Sequence, residues 1–154
     1  MSDLRLTWNV HAADLTVTAN DIEVDDGLET AVIVSLFTDR RAEDADALPD
    51  GHTDRRGYWG DELPVIAGDR IGSRLWLLAR EKQLTPVLAR ARAYAIEALQ
   101  WLLDDRVAES VDVSAAFTRP GWLELQVVIT RPDTDPAEFR FDYTWLAQAE
   151  RGAV

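Results

Sequence analysis

The stretch that most constrains this chain runs from Thr85 to Leu103. Thr85 can offer its side-chain oxygen to the first free N–H groups of a helix. Pro86 then sits at the first helical position, where a missing N–H costs nothing. Behind them Leu88, Ala91, Ala95, Ala98, Leu99 and Leu102 recur at spacings of three, four and seven. That pattern predicts one apolar stripe down a helix over 85–103, roughly 27 Å long. Arg90, Arg92, Glu97 and Gln100 fall mostly off the stripe. A helix with one long apolar side needs a layer to cover it, so the other elements are expected to pack on this beam.

The flanks supply that layer. Leu4, Leu6 and Trp8 alternate with Arg5 and Thr7, followed by Leu15 and Val17 and by Ile22 and Val24, which predicts an N-terminal β-meander over 4–24. Asp25-Asp26-Gly27 is read as the cap of a helix from Leu28 to about Phe37, with Leu28, Ala31, Val32, Ser35 and Leu36 on one face. Arg40 and Arg41 follow its end, where the helix dipole favours cations. Ala42 to Leu63 shows no period and is read as a long acidic and aromatic loop. Ser73 caps a short helix carrying Leu75 to Leu78 and ending near Lys82. Three antiparallel strands are expected within 107–145, the clearest being Trp122 to Thr130, where Leu123, Leu125, Val127 and Ile129 face one way. The expected class is α+β: an antiparallel sheet packed against a long helix and two shorter ones, in a single domain over 1–154.

Charge and composition narrow the function. With 16 basic and 28 acidic residues the formal net charge is −12. Phosphate backbones and anionic membranes are repelled by such a surface, so no direct nucleic-acid or membrane partner is expected. The chain has no cysteine, which excludes a disulfide framework, a thiolate zinc site and a thiol nucleophile. No apolar run reaches the roughly 20 residues of a membrane span, and the start lacks the form of a signal peptide. The expectation is synthesis in a cytoplasm.

No catalytic signature emerges, and neither an enzyme nor a cofactor is expected. Asp44, Asp46, Asp50, His52 and Asp54 offer hard ligands, but without calcium-loop spacing, so they are read as a solvated charge run. His11 and His52 stand in no zinc motif, and no serine lies in a G-x-S-x-G elbow. Carboxylate pairs are always available in so acidic a chain; Asp61 and Glu62 leave open a hydrolase of cell wall as an alternative. Asp54-Arg55-Arg56-Gly57-Tyr58-Trp59-Gly60-Asp61 carries more information. Arginine forks beside rigid aromatics suit protein docking, whereas the bland reading folds Tyr58 and Trp59 back onto the core.

Three blocks, D-G-L-E-T-A-V-I-V-S-L-F-T-D-R-R-A from Asp26, D-R-R-G-Y-W-G-D from Asp54 and G-S-R-L-W-L-L-A-R-E-K from Gly72, resemble the gene-product-46 family of Mu-like phages. The resemblance covers Leu4 to Trp145. It implies a baseplate protein of a contractile tail, with localisation to the virion tail baseplate. That family is similar, more loosely, to the gene-product-25 wedge protein of T-even phages, whose long helix ends in a Glu-Pro-Arg motif. Here Arg106 matches the motif arginine, the proline is absent and Asp105 approximates the acid. The implied role is structural: joining wedge subunits to the first sheath layer and helping to start sheath assembly, with six copies per tail. Arg106, Asp105, Arg55, Arg56, Tyr58, Trp59 and Arg70 are the expected interaction residues. A small acidic adaptor outside phage tails is the other alternative.

Overall fold

A computed structural model describes residues 3–4, 6–9, 12–15, 17–18, 21–22, 24–25, 27–49, 53–62, 70–78, 81–83 and 85–144, with Leu6 and Trp8 the described side chains of the N-terminal strands. In chain order, β1 (Asp3–Leu4), β2 (Leu6–Asn9), β3 (Ala12–Leu15), β4 (Val17–Thr18), β5 (Asp21–Ile22) and β6 (Val24–Asp25) precede α1 (Leu28–Phe37). Then come α2 (Thr85–Asp104), β7 (Ser110–Arg119), β8 (Trp122–Thr130) and β9 (Ala137–Thr144). The chain is α+β. Its main sheet is antiparallel in the order β7-β8-β9.

Alternation along each strand gives the sheet two unlike faces. Val113, Leu123, Leu125, Val127, Ile129, Phe141 and Tyr143 are buried on the helix side. The other side is polar and cross-linked: Gln126 Nε2 donates to Glu138 at 2.8 Å and Arg140 Nε to the same carboxylate at 2.9 Å. Helix α2 spans both halves of the core. Its first turns bury Val87, Ala91 and Tyr94 with Leu75–Leu78 and with Leu123 and Leu125 of β8. Its later turns bury Ala95, Ala98, Leu99 and Leu102 with α1, Val127 and Ile129. Small alanines at the contact let the helix approach its neighbours closely.

The N-terminal segment differs from a single meander sheet. It forms three two-stranded ladders: β1 with β6 closes the base, and the hairpins β2-β3 and β4-β5 lie inside it. Alternation alone marks residues as extended but does not choose their partners. This unit docks through Trp8. Its ring stacks on Phe37 at 3.7 Å, and its indole N–H donates to the Asp142 carbonyl of β9 at 2.9 Å. Phe37 in turn meets Phe141 and Tyr143 at 5.5 and 5.9 Å. One aromatic cluster therefore joins the N-terminal unit, α1 and the sheet. Helix α1 is covered on more than one side, so Ile33 is buried as well as Val32 and Leu36.

Other expectations change locally. Of the three residues expected to cap α1, Gly27 is the cap residue, in the left-handed region at φ 83°, Asp25 pairs with Asp3 in β6, and Asp26 lies outside the described residues. The short helix after Ser73 is a single 3-10 turn, Leu75–Leu78. All four of its residues are buried, and their hydrophobic contacts rather than helical periodicity explain the apolar run. The strand expected from Val107 begins at Ser110, because residues 105–108 complete the end of α2. His11, Asp50, His52, Leu63 and Trp145 lie outside the described residues.

The segment leading into Leu75–Leu78 is held against the end of α1 by a short parallel bridge, Asp39 to Ser73. Ser73 N–H donates to Thr38 O at 2.9 Å and Arg40 N–H to Ser73 O at 3.0 Å. The buried Ser73 hydroxyl donates to Leu36 O and accepts the Leu75 N–H. Gly72 makes this approach possible. Its φ is +94°, and a Cβ there would lie 2.3 Å from Thr38 O. Gly72→Ala is therefore expected to lower unfolding free energy by at least about 2 kcal/mol; chemical denaturation with the m-value unchanged checks this.

Candidate interaction surface

The loop after α1 is built around arginines. Ala42 N–H donates to Arg55 O at 2.9 Å, pairing the two ends of the segment. The Arg55 guanidinium donates to the carbonyls of Glu43 and Asp44. Arg56 adopts a left-handed conformation at φ 52°. Its side chain is drawn inward, with Nη1 2.8 Å from Asp39 and the guanidinium 4.5 Å from the centre of the Trp76 ring. Arg70 pairs with Glu43 at 3.0 Å across two half-exposed side chains, a contact worth at most about 1 kcal/mol.

Arg74 is the strongest of these ties. Nη1 donates to both oxygens of Asp46, at 3.0 and 2.8 Å. Nε and Nη2 donate to the two oxygens of Glu97 on α2, at 2.9 and 3.1 Å. The same guanidinium stacks over Tyr94 at 4.7 Å. Planar forks of this kind suit two carboxylates at once. Burial alone would push the Asp46 carboxyl up. The Arg74 hydrogen bonds, the Glu43 N–H and the nearby Arg74 and Arg90 charges outweigh it and hold Asp46 below the ordinary carboxylate value. Burial disfavours the Arg74 cation too, but its bonds to Glu97 and Asp46 prevail and raise its affinity for the proton.

This bracing carries an outward knob. Trp59 and Glu62 bound a single 3-10 turn, and Trp59 is 81% exposed beside Tyr58 at 41%. The two rings lie 5.4 Å apart, tilted by 46°. The aromatics therefore do not fold back; Trp76 fills the interior instead, its indole N–H on Arg40 O at 2.8 Å. Gly60 lets Tyr58 lie across the turn, since a Cβ there would meet the ring at 2.5 Å. Ile71 N–H donates to Asp61 Oδ1 at 3.3 Å, which seats the turn against residues 70–71. Asp61 thus supports the turn, and Glu62 is exposed.

Five of the seven expected residues, Arg55, Arg56, Tyr58, Trp59 and Arg70, meet in this loop and its seat. Arg55 and Arg56 hold the loop together, and the aromatics face out. Asp105 and Arg106 stand apart, exposed at the end of α2. Arg106 has φ 57°, with its N–H on Leu103 O at 3.1 Å and the Val107 N–H on Leu102 O at 2.9 Å. This is the reverse turn that usually ends a helix with glycine. Between the two regions lies a cleft of about 280 Å³, lined by Arg40, Arg70, Glu97, Gln100, Trp101 and Asp104. Sequence reading missed Arg74, Asp46 and Glu97 as a unit, because they are separated by up to 51 positions and share no spacing motif.

Residues 28–136 match the family described as Phage protein GP46. The chain belongs to the GP46 family. It is 46% identical over 142 residues to the baseplate protein gp46 of Escherichia phage Mu, covering 92% of this chain and 95% of that protein. It is 41% identical over 145 residues to the Mu-like prophage FluMu protein gp46 of Haemophilus influenzae, covering 94% and 98%. The matched region includes the braced loop, the cleft and Arg106.

Two measurements check the geometry of this GP46-family surface. Trp76→Ala is expected to cost about 3–5 kcal/mol of stability, whereas Trp59→Ala leaves it within about 0.5 kcal/mol; denaturant titration separates them. Asp46 has a lowered folded value, so its contribution is present above the unfolded value of 3.8 and is lost as pH falls through the lower folded value. Asp46→Asn should lower stability at pH 7 by about 1–2 kcal/mol and flatten that acid limb. An acid limb identical to that of the parent protein counts against the Arg74 tie.

Proposed function

We propose that this chain is a structural subunit of a contractile-tail baseplate, in a phage or a related tail-like particle. It acts by fitting between neighbours, not by transforming a substrate. The observation that carries this reading is the Trp59 knob: a large indole, 81% exposed, on a turn braced from behind by ion pairs. Rigid, exposed tryptophans are the side chains that most often dominate a protein interface. Membership of the GP46 family and the likeness to a baseplate protein of phage Mu support the same reading.

Within it, Trp59 and Tyr58 dock a wedge subunit, with Arg55, Arg56 and Arg70 setting the pose. Arg106 and Asp105 make a second wedge contact. A non-glycine residue in the left-handed region costs of order 1 kcal/mol, and a docking role for the guanidinium supplies a reason to keep arginine there. Toward the sheath the chain offers an outer strand. Trp8 occupies the Asp142 carbonyl of β9, so strand addition by a sheath subunit falls on the earlier part of β9, from Ala137. Six copies around the tail multiply modest single contacts.

Co-expression with the wedge subunits of the same tail tests this. Trp59→Ala should weaken the complex by about thirtyfold or more, in line with an interface anchor worth at least about 2 kcal/mol. Arg106→Gly should raise the stability of the isolated chain by about 0.5–1 kcal/mol while weakening the complex. If both variants assemble as the parent chain does, the docking roles are rejected.

A further inference from the structure

Nearly every guanidinium on the loop side of the molecule has a partner: Arg41 and Arg55 on backbone carbonyls, and Arg56, Arg70 and Arg74 on carboxylates. Among the described residues there, Arg40 is the exception. Its backbone is spent on Ser73 and Trp76. Its guanidinium has no acid among the described residues, and its Nε is buried without a hydrogen-bond partner. In a chain of formal charge −12, a half-buried cation left unpaired is costly unless something outside the chain completes it.

The cleft beside it is already shaped. Arg40 and Arg70 form one wall; Glu97, Gln100, Trp101 and Asp104 form the other, on α2. Most of its charges are committed. Glu97 is held by Arg74 and Arg70 by Glu43. The Trp101 indole N–H is taken by the Ser35 hydroxyl at 3.0 Å, so what the ring leaves for a ligand is apolar area. Among the described residues Asp104 accepts only the neutral Gln100 amide, at 3.1 Å. Among the described residues of the cleft one cation, Arg40, and one anion, Asp104, therefore remain on opposite walls with an indole beside them.

We infer that this cleft takes an acidic side chain of a neighbouring baseplate subunit onto Arg40. A basic residue close to that acid in the partner's sequence meets Asp104. The occupant is a protein segment and not a phosphate, because Glu97 and Asp104 repel a dianion, whereas a single carboxylate with an adjoining cation satisfies both walls. The inference rests on the baseplate reading above and names the partner's chemistry at a further contact, separate from those of Trp59 and Arg106.

The test uses the full chain co-expressed with the subunits of its own baseplate, with a photo-cross-linking amino acid placed at Gln100 or, separately, at Trp59. Capture from position 100 of a partner segment holding Asp or Glu with a Lys or Arg within one helical turn supports the cleft. Arg40→Glu should then weaken the complex at least about thirtyfold, Arg40→Gln less, with the melting temperature of the isolated chain not lowered by Arg40→Gln. Changing the captured acid to Arg should restore binding to Arg40→Glu. Capture from position 59 but not from 100, or unchanged binding by Arg40→Glu, overturns the cleft and leaves the baseplate reading standing. A nucleic-acid adduct at position 100 also overturns it. Failure of both positions to capture a baseplate subunit overturns both readings.

Discussion

One guanidinium sets the geometry on which the interaction surface depends. Arg74 faces Asp46 from the loop, Glu97 from α2 and the Tyr94 ring at the same time. A loop of irregular sequence has little apolar area with which to fix itself, so its position must come from a few directional contacts. A planar five-donor fork supplies them where an ammonium would not. Once Arg74 ties Asp46 to α2, Arg55 and Arg56 complete the loop with bonds to backbone and to Asp39. The exposed indole is then held on a platform rather than on a free chain. That lowers the entropy lost when it docks.

The same arrangement divides the arginines by role. Those facing inward balance an acidic surface and stiffen it. Arg40 and Arg106 have no hydrogen-bonding or ion-pair partner for the guanidinium among the described residues; Arg40 lines the cleft and Arg106 follows the end of α2. Net charge alone says only that nucleic acid and anionic membranes are unfavourable partners. The distribution of paired and unpaired charges says where a protein partner finds unspent attraction. Aromatic residues divide in the same manner. Trp8 and Trp76 join elements of the core, and Trp59 projects from it.

Much of the fold was legible in the order of residues because periodicity reports burial directly. Trp122 to Thr130 alternates and is buried on alternate residues, and the stripe on 85–103 maps onto a helix of 20 residues whose buried face includes Ala91, Ala95, Ala98, Leu99 and Leu102. The loop was recognised by its lack of period, but whether Tyr58 and Trp59 dock outward or fold back was left open by the sequence and decided by the fold, which leaves Trp59 81% exposed. Where the reading departed from the structure, the cause was a contact distant in sequence. Three small ladders replace a meander because Asp3 and Leu4 find Asp25 and Val24. A 3-10 turn replaces a short helix because Leu75 to Leu78 are all buried, leaving no solvent side to complete an amphipathic helix.

Local chemistry by itself thus marked the long helix, the alternating strands of the sheet and the aperiodic loop, and set the acidic net charge. Those properties are written in neighbouring residues, through spacing, turn formers and summed charge. Tertiary structure alone decided which arginines are structural and which are left open, since Arg40 and Arg41 are adjacent in the chain and alike in composition. The difference is made by what the fold brings to each: a backbone carbonyl of Arg56 for Arg41, and a cleft shared with Arg70 and α2 for Arg40. Charge pairing acts over a few ångström in space, and no local pattern encodes which distant side chain will arrive there.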